Sequence, residues 1–181
     1  GGSFMFAYIC ASPYVFMDIF GLNKAQYTAA FVLNMGGTML AARVNHSLSH
    51  KYPPSLILSR TLIFTLFCNG LLILASAGAP LIVFMIPLWL TVAALPVIYA
   101  NSIAIAMRHC RHKAGIASAL FGLLQFGFAS LASGLVGAWR NGTPAPMASI
   151  MFGAVLLGLV IFLAGTKLGG QDPAAERPEL Q

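Results

Sequence analysis

The chain has 181 residues, 59% of them hydrophobic and only 8% charged. Its mean hydropathy of +0.84 excludes a soluble globular domain, in which about a quarter of residues carry charge. The net charge of +6 does not indicate a nucleic-acid module either, because the ten basic residues are scattered between long apolar runs and form no continuous basic face.

A bilayer core of roughly 30 Å needs about 20 apolar residues in helical form. Cutting the chain at its charged and Pro/Gly-rich stretches yields six such spans. The first is expected over about 3–20 and ends at Gly21-Leu22-Asn23-Lys24. The second, about 25–44, is followed by a polar stretch from Asn45 to Ser55. The third, about 56–77, turns at Gly78-Ala79-Pro80 into a fourth over 80–107, and Arg108-His109-Cys110-Arg111-His112-Lys113 separates it from a fifth over 114–138. After Arg140-Asn141-Gly142-Thr143-Pro144 the sixth spans about 147–166, leaving a polar tail, 167–181, that is expected to be disordered. The fold class is therefore an all-α membrane protein, a bundle of six transmembrane helices.

Orientation follows from the basic residues. Arg43, Lys51, Arg60, Arg108, Arg111, Lys113, Lys167 and Arg177 fall on one side and only Lys24 and Arg140 on the other. The positive-inside rule then places both ends of the chain in the cytoplasm. No signal peptide is visible, since the first apolar run lacks a basic leader. The start Gly1-Gly2-Ser3 without methionine reads as a piece of something longer, which the full reading frame tests. Three cysteines, at 10, 68 and 110, cannot close a disulfide framework, and Cys10 and Cys68 read as small hydrophobes in apolar runs.

Prolines break the first span at Pro13 and the fourth at Pro87 and Pro96. They read either as lipid-facing kinks or as points of movement. The fifth span carries small residues at four-residue spacing, Ala114-Ser118-Gly122 and Ser130-Gly134-Ala138, with Ser133 and Gly137 beside them, which predicts a close helix seam. Gly36-Gly37 offers the same in the second span. Polar residues at membrane depth are the most informative. Asn34 and Asn69 fall near the middle, Gln125 deep in the fifth span and Asn101 toward the cytoplasmic side; Asp18 lies near the outer end, one turn from Tyr14. An amide in hydrocarbon needs a partner, so each reads either as an interhelical hydrogen bond or as part of a wet cavity. Asp18 is either solvated at the outer mouth or a carboxylate that a cation or proton can use.

His46 and His50 are four apart, and His109 and His112 flank Cys110, all toward the cytoplasm. With no acidic residue beside either pair they read as loop histidines, so no metal site is expected. No nucleophile elbow, zinc-protease helix, P-loop or dinucleotide glycine pattern occurs, so no enzyme activity is expected and no cofactor is called for.

Two triplets that each begin with a proline-bearing span fit one half of a transporter built from inverted three-helix repeats. The residues themselves carry a family resemblance: Ala11-Ser12-Pro13-Tyr14-Val15-Phe16 with Gly21, then Phe31 and Asn34, Asn101-Ser102-Ile103-Ala104, Ala114-Gly115-Ile116-Ala117-Ser118-Ala119-Leu120 with Gln125, and Pro146-Met147. In this order, over essentially the whole chain to about Thr166, they resemble the C-terminal half of the Bcr/CflA drug-resistance transporters of the major facilitator superfamily. The chain departs from that pattern at Ala100, where the family usually has proline, and between Asn45 and Pro54, where the basic loop matches loosely.

The resemblance implies that these spans are helices seven to twelve of a bacterial inner-membrane protein that exports drugs or related small amphipathic molecules against proton entry. Its partners would be the small-molecule substrate, the bilayer and an N-terminal six-helix half, with the proton gradient as energy source. The first and fourth spans would line the central cavity, the second and fifth would meet the other half, and the third and sixth would face lipid. Ser12, Tyr14, Asp18 and Asn101 are then substrate-cavity candidates, and Asn34 and Gln125 are polar residues on interface helices beside it; Asn69 falls away from the site. Tyr14, Phe16, Met17 and Tyr99 would offer adaptable apolar contacts. The proton-relay residues of such antiporters lie mainly in the N-terminal half. A metabolite exporter of the same fold, or a non-transporting six-helix subunit, stays open on the residues alone.

Overall fold

A computed structural model describes residues 2–109, 114–139 and 142–168, and every regular element among them is helical. The first span is α1 (Gly2–Pro13) continued by a π-helical segment (Tyr14–Ile19). The second is α2 (Lys24–Ser49) and the third α3 (Pro54–Ala75). The fourth is made of α4 (Leu81–Ala93) and α5 (Leu95–His109), the fifth is α6 (Ala114–Ala138), and the sixth is α7 (Ala145–Leu168). The Arg-His-Cys cluster at 110–113 and most of the 167–181 tail lie outside the described residues.

Local chemistry sets these boundaries. Asn23 caps α2 by accepting from the Gln26 amide at 2.9 Å, while the Gln26 side chain accepts from the Asn23 amide at 3.0 Å, a reciprocal box that satisfies two orphan donors. Pro54 opens α3, where its missing N–H costs nothing. The three turns at the end opposite His50 all contain a glycine with positive φ, Gly21 at 68°, Gly78 at 120° and Gly142 at 77°, a backbone that side-chain-bearing residues adopt only with strain. Pro96 has no N–H to give to the Val92 carbonyl, and the fourth span is interrupted beside it, at Ala94. Two boundaries differ from the sequence expectation. The second helix does not stop near 44 but runs on to Ser49, so His46 is helical rather than in a loop. The first span also leaves α-helical geometry after Pro13.

Among the described residues five stretches are long and apolar enough to cross a membrane: Gly2–Ile19, Pro54–Ala75, Leu81–Ala106, Ser118–Ala138 and Ala145–Thr166. The 26 residues of α2 reach about 39 Å at 1.5 Å per residue, but Gln26, Thr28, Asn34 and Thr38 keep this helix more polar than the rest.

The helices pair by a swapped pattern. The first helix of one triplet packs on the second of the other, α1 on α6 and α4–α5 on α2; the third helices, α3 and α7, pack together; and each third helix packs on the first of the other triplet, α3 on α4–α5 and α7 on α1. This reciprocity is what two three-helix repeats related by a pseudo-two-fold axis produce. The shared core runs through Tyr8, Phe16, Leu72, Phe84, Leu88, Met147 and Met151, all at most 1% exposed.

Among the described residues, most of the small-residue stripe of the fifth span lies off the face by which α6 packs on α1. Among the described residues of α6, Ala129, Ala132 and Val136 are buried, whereas Ser118, Ser130 and Gly134 are exposed and Gly122, Gly134 and Gly137 have no neighbour within 4 Å of a Cβ position. One of the expected small residues does reach α1: Ser133 lies 3.3 Å from the Cys10 sulfur. In α2 the close approach is real at Gly37, where an added Cβ would come within 2.7 Å of the Trp89 ring nitrogen, and absent at Gly36.

Candidate functional site

Pro13 cannot donate to the Ile9 carbonyl, and the Ser12 hydroxyl fills that place at 3.2 Å. The same oxygen is 3.1 Å from the Tyr27 hydroxyl on α2. One turn earlier Tyr8 accepts a hydrogen bond from Asn34 Nδ2 at 3.0 Å, with both residues buried. Aromatic rings fill the rest of this border: Tyr8 stacks on Phe31 with centroids 6.1 Å apart, and Tyr27 meets both Phe31 and Phe16. The backbones of α1 and α2 approach closely only near the π segment, so long side chains bridge most of their length. Residues 8 and 12 of α1 and 16 of the π segment thus meet 27, 31 and 34 of α2.

The candidates picked from the sequence occupy three different places. Ser12 and Asn101 are turned into the bundle, at 0% and 3% exposure. Tyr14 is half-buried on the π segment and lines a cavity of about 110 Å³ with Cys10, Ser133, Trp139 and Met147. Asp18 is exposed on the same segment. Asn101 Nδ2 donates to Asn45 Oδ1 at 2.8 Å and to the Val97 carbonyl at 2.8 Å, tying α5 to α2. Gln125 is held by the Tyr99 hydroxyl, which ties α5 to α6. Around that bond lies a cavity of about 340 Å³ bordered by Ser3, Ser102, Phe121 and Phe128; Ile98, Ser102 and Ile161 also line a second cavity, of about 280 Å³, that reaches Phe4 and Leu62. Asn34, Asn69 and Thr91 are fully buried. Of the adaptable apolar contacts, Phe16 is buried against Tyr27, while Tyr14, Met17 and Tyr99 keep part of their surface.

Tyr8, Tyr27, Asn45 and Trp89 were not singled out by the sequence. Tyr8 and Tyr27 carry a readable signal, since Tyr8-Ser12-Phe16 and Tyr27-Phe31 repeat at four residues and so share a helix face. Trp89, whose ring nitrogen donates to the Leu33 carbonyl at 3.0 Å, has none, because its partner is a backbone atom. His46 and His50 face each other edge-on with ring centroids 4.9 Å apart on the exposed end of α2. Among the described residues no three His, Cys, Asp or Glu side chains come together as a metal would need. His112 and Cys110 lie outside those residues.

The chain is 29% identical over 171 residues to an uncharacterized MFS-type transporter, YdgK, of Bacillus subtilis, which covers 92% of this chain and 41% of the relative. It is 25% identical over 160 residues to a bicyclomycin resistance protein homolog of Haemophilus influenzae, covering 87% of this chain and 40% of the relative. The chain therefore spans about two fifths of the length of each. No family model matches it, and no solved structure matches it. These relatives bear out the resemblance to Bcr-type transporters of the major facilitator superfamily, and the helical bundle is a half of that fold. The chain is a multi-pass membrane protein related to transporters rather than to enzymes.

Proposed function

We propose that the chain is the C-terminal six-helix half of a secondary exporter that moves drugs or related amphipathic molecules out across the bacterial inner membrane in exchange for protons. The observation that carries this reading is the match, over most of the chain, to a protein named for resistance to bicyclomycin. The proton gradient is the energy source and no cofactor takes part. In alternating access this bundle rocks against the N-terminal half, which holds the proton relay. Both ends of the chain lie in the cytoplasm, as the basic residues direct.

Any residue facing the space between two halves is exposed when one half stands alone. On that criterion the exposed Asp18, with the half-buried Tyr14 and Met17 beside it, is the better placed part of the substrate path. Ser12 and Asn101 serve it by holding α1 and α5 against α2. Asp18 supplies the negative charge that a cationic amphipath or a proton needs, and Tyr14 and Met17 supply apolar contact that tolerates different shapes.

In the intact gene, Asp18→Asn is expected to lower drug efflux about tenfold, equivalent to ~1.4 kcal/mol, at unchanged protein level in the membrane. Asn101→Ala is expected to lower both efflux and thermal stability. Drug tolerance and efflux rates in cells carrying each variant check this, and wild-type transport in both would sink the assignments. Assays against a panel separate a multidrug exporter from a metabolite carrier, which would show one saturable substrate.

A further inference from the structure

Among the described residues three buried side-chain oxygens have no hydrogen-bond partner in the protein: Asn34 Oδ1, Asn69 Oδ1 and Thr91 Oγ1, each on a residue with 0% exposure. They sit on α2, α3 and α4, and the packing register brings them to one depth. The Trp89–Leu33 and Asn101–Asn45 bonds each join residues 56 apart on the parallel pair α2 and α4–α5, so Asn34 is level with Leu90. Helices α3 and α4 run antiparallel from the turn at 76–80, and counting outward from it pairs Thr65 with Thr91, just as it pairs the buried Leu72 with Phe84 and Leu62 with Ala94. The Asn69 amide is drawn back toward the depth of Thr65, because its Nδ2 donates to the Thr65 carbonyl at 3.0 Å. The Thr91 side chain leans toward the start of its own helix and so toward the same depth. Asn34 lies 11 residues inside the Asn23 cap, about 16 Å at 1.5 Å per residue, close to mid-membrane.

Both amides have their nitrogen engaged, Asn34 with Tyr8 and Asn69 with Thr65, and both leave the oxygen over. Turning either amide does not help: a reversed Asn34 leaves its N–H₂ without an acceptor, and a reversed Asn69 sets oxygen against oxygen. What is missing is a small hydrogen donor. A cation fits poorly, since before residue 172 the only carboxylate in the chain is Asp18, exposed at the outer end, and an uncompensated charge at mid-membrane is costly. Water is neutral, donates twice and accepts twice, and buried waters characteristically satisfy otherwise unpaired polar groups.

We propose that water molecules are bound in this layer and complete the hydrogen bonds of Asn34, Asn69 and Thr91, so that the half bundle carries a hydrated polar stratum at mid-depth between two apolar zones. One water serves Asn69 and Thr91 together across the α3–α4 contact, and the site is separate from the substrate path.

The test uses the full-length transporter in nanodiscs. Single Asn69→Leu and Thr91→Val substitutions are each expected to lower the unfolding temperature by several degrees, and the double variant to lose clearly less than the sum, because both release the same water. If removing these oxygens raises the unfolding temperature, or if the two losses add, the shared water is overturned. Pulsed X-ray hydroxyl-radical labelling of the unmodified protein gives a readout that does not depend on folding of variants. Tyr8 and Leu88, both at most 1% exposed but beside the layer, are expected to be modified while the equally buried Phe84, nearer the Gly78 turn, is not. Equal protection of all three overturns the hydrated layer.

Discussion

At the scale of single residues the amide at position 34 shows how a polar group is made tolerable inside hydrocarbon. Its nitrogen donates to Tyr8 at 3.0 Å, and Tyr8 in turn stacks on Phe31, so one pair of side chains holds two helices whose backbones stay apart. Interhelical bonds of this kind contribute about 0.6–2 kcal/mol in a bilayer, and removing one partner leaves the other desolvated and unpaired. Tyr8→Phe keeps the ring and its stack but deletes the acceptor. It is expected to cost about 1 kcal/mol, seen as a lower unfolding temperature of the purified transporter. Asn34→Leu added to Tyr8→Phe is expected to cost less than it does alone on that bond. An unchanged unfolding temperature in Tyr8→Phe would show that the bond contributes nothing.

At the scale of elements, the proline in the first span acquires a specific partner. The Ile9 carbonyl that Pro13 cannot serve is taken by Ser12, which also meets Tyr27. Ser12→Ala is therefore expected to lower stability by about 1 kcal/mol, the contribution of the hydrogen bond it removes. In a Pro13→Ala background the same change is expected to cost less, since residue 13 then brings its own N–H to Ile9. Thermal unfolding of the four proteins of this cycle measures the difference, and equal costs in both backgrounds would remove Ser12 from this role. The elements were largely legible in the sequence, because apolar runs between charged stretches, Gly-containing turns and the proline positions all have local causes. The end of α2 was not: Asn45 and His46 look like loop residues by polarity, yet Asn45 is held by Asn101 on another helix, a contact no local pattern carries. Asn101 reads as a polar residue at depth and Ser12 as a cavity candidate, but which way a helix turns either of them depends on packing partners far along the chain. The stripe on α6 is legible as small residues, but only part of it, at Ser133, meets α1, while Ser118, Ser130 and Gly134 stay exposed.

At the scale of the whole molecule, six successive crossings bring Gly2 and Leu168 to one side, and the positive-inside rule proposes which side that is. Arg43, Lys51 and Arg60 are exposed near the ends where α2 gives way to α3, while Lys24 lies at the opposite end beside Gly21. Short loops carrying Lys and Arg are retained in the cytoplasm, and the sequence pattern assigns eight of the ten basic residues to that side. Reporter fusions made in the intact gene read this directly. Green fluorescent protein joined after Leu168 is expected to fluoresce, and alkaline phosphatase inserted at the 76–80 turn is expected to be active, because the former folds only in the cytoplasm and the latter only outside it. The reversed pattern would invert the proposed orientation and move Asp18 from the outer to the inner mouth. The carboxylate would then meet a proton entering down its gradient only after the membrane had been crossed, so the topology experiment also tests whether Asp18 stands where an exporter driven by proton entry needs it.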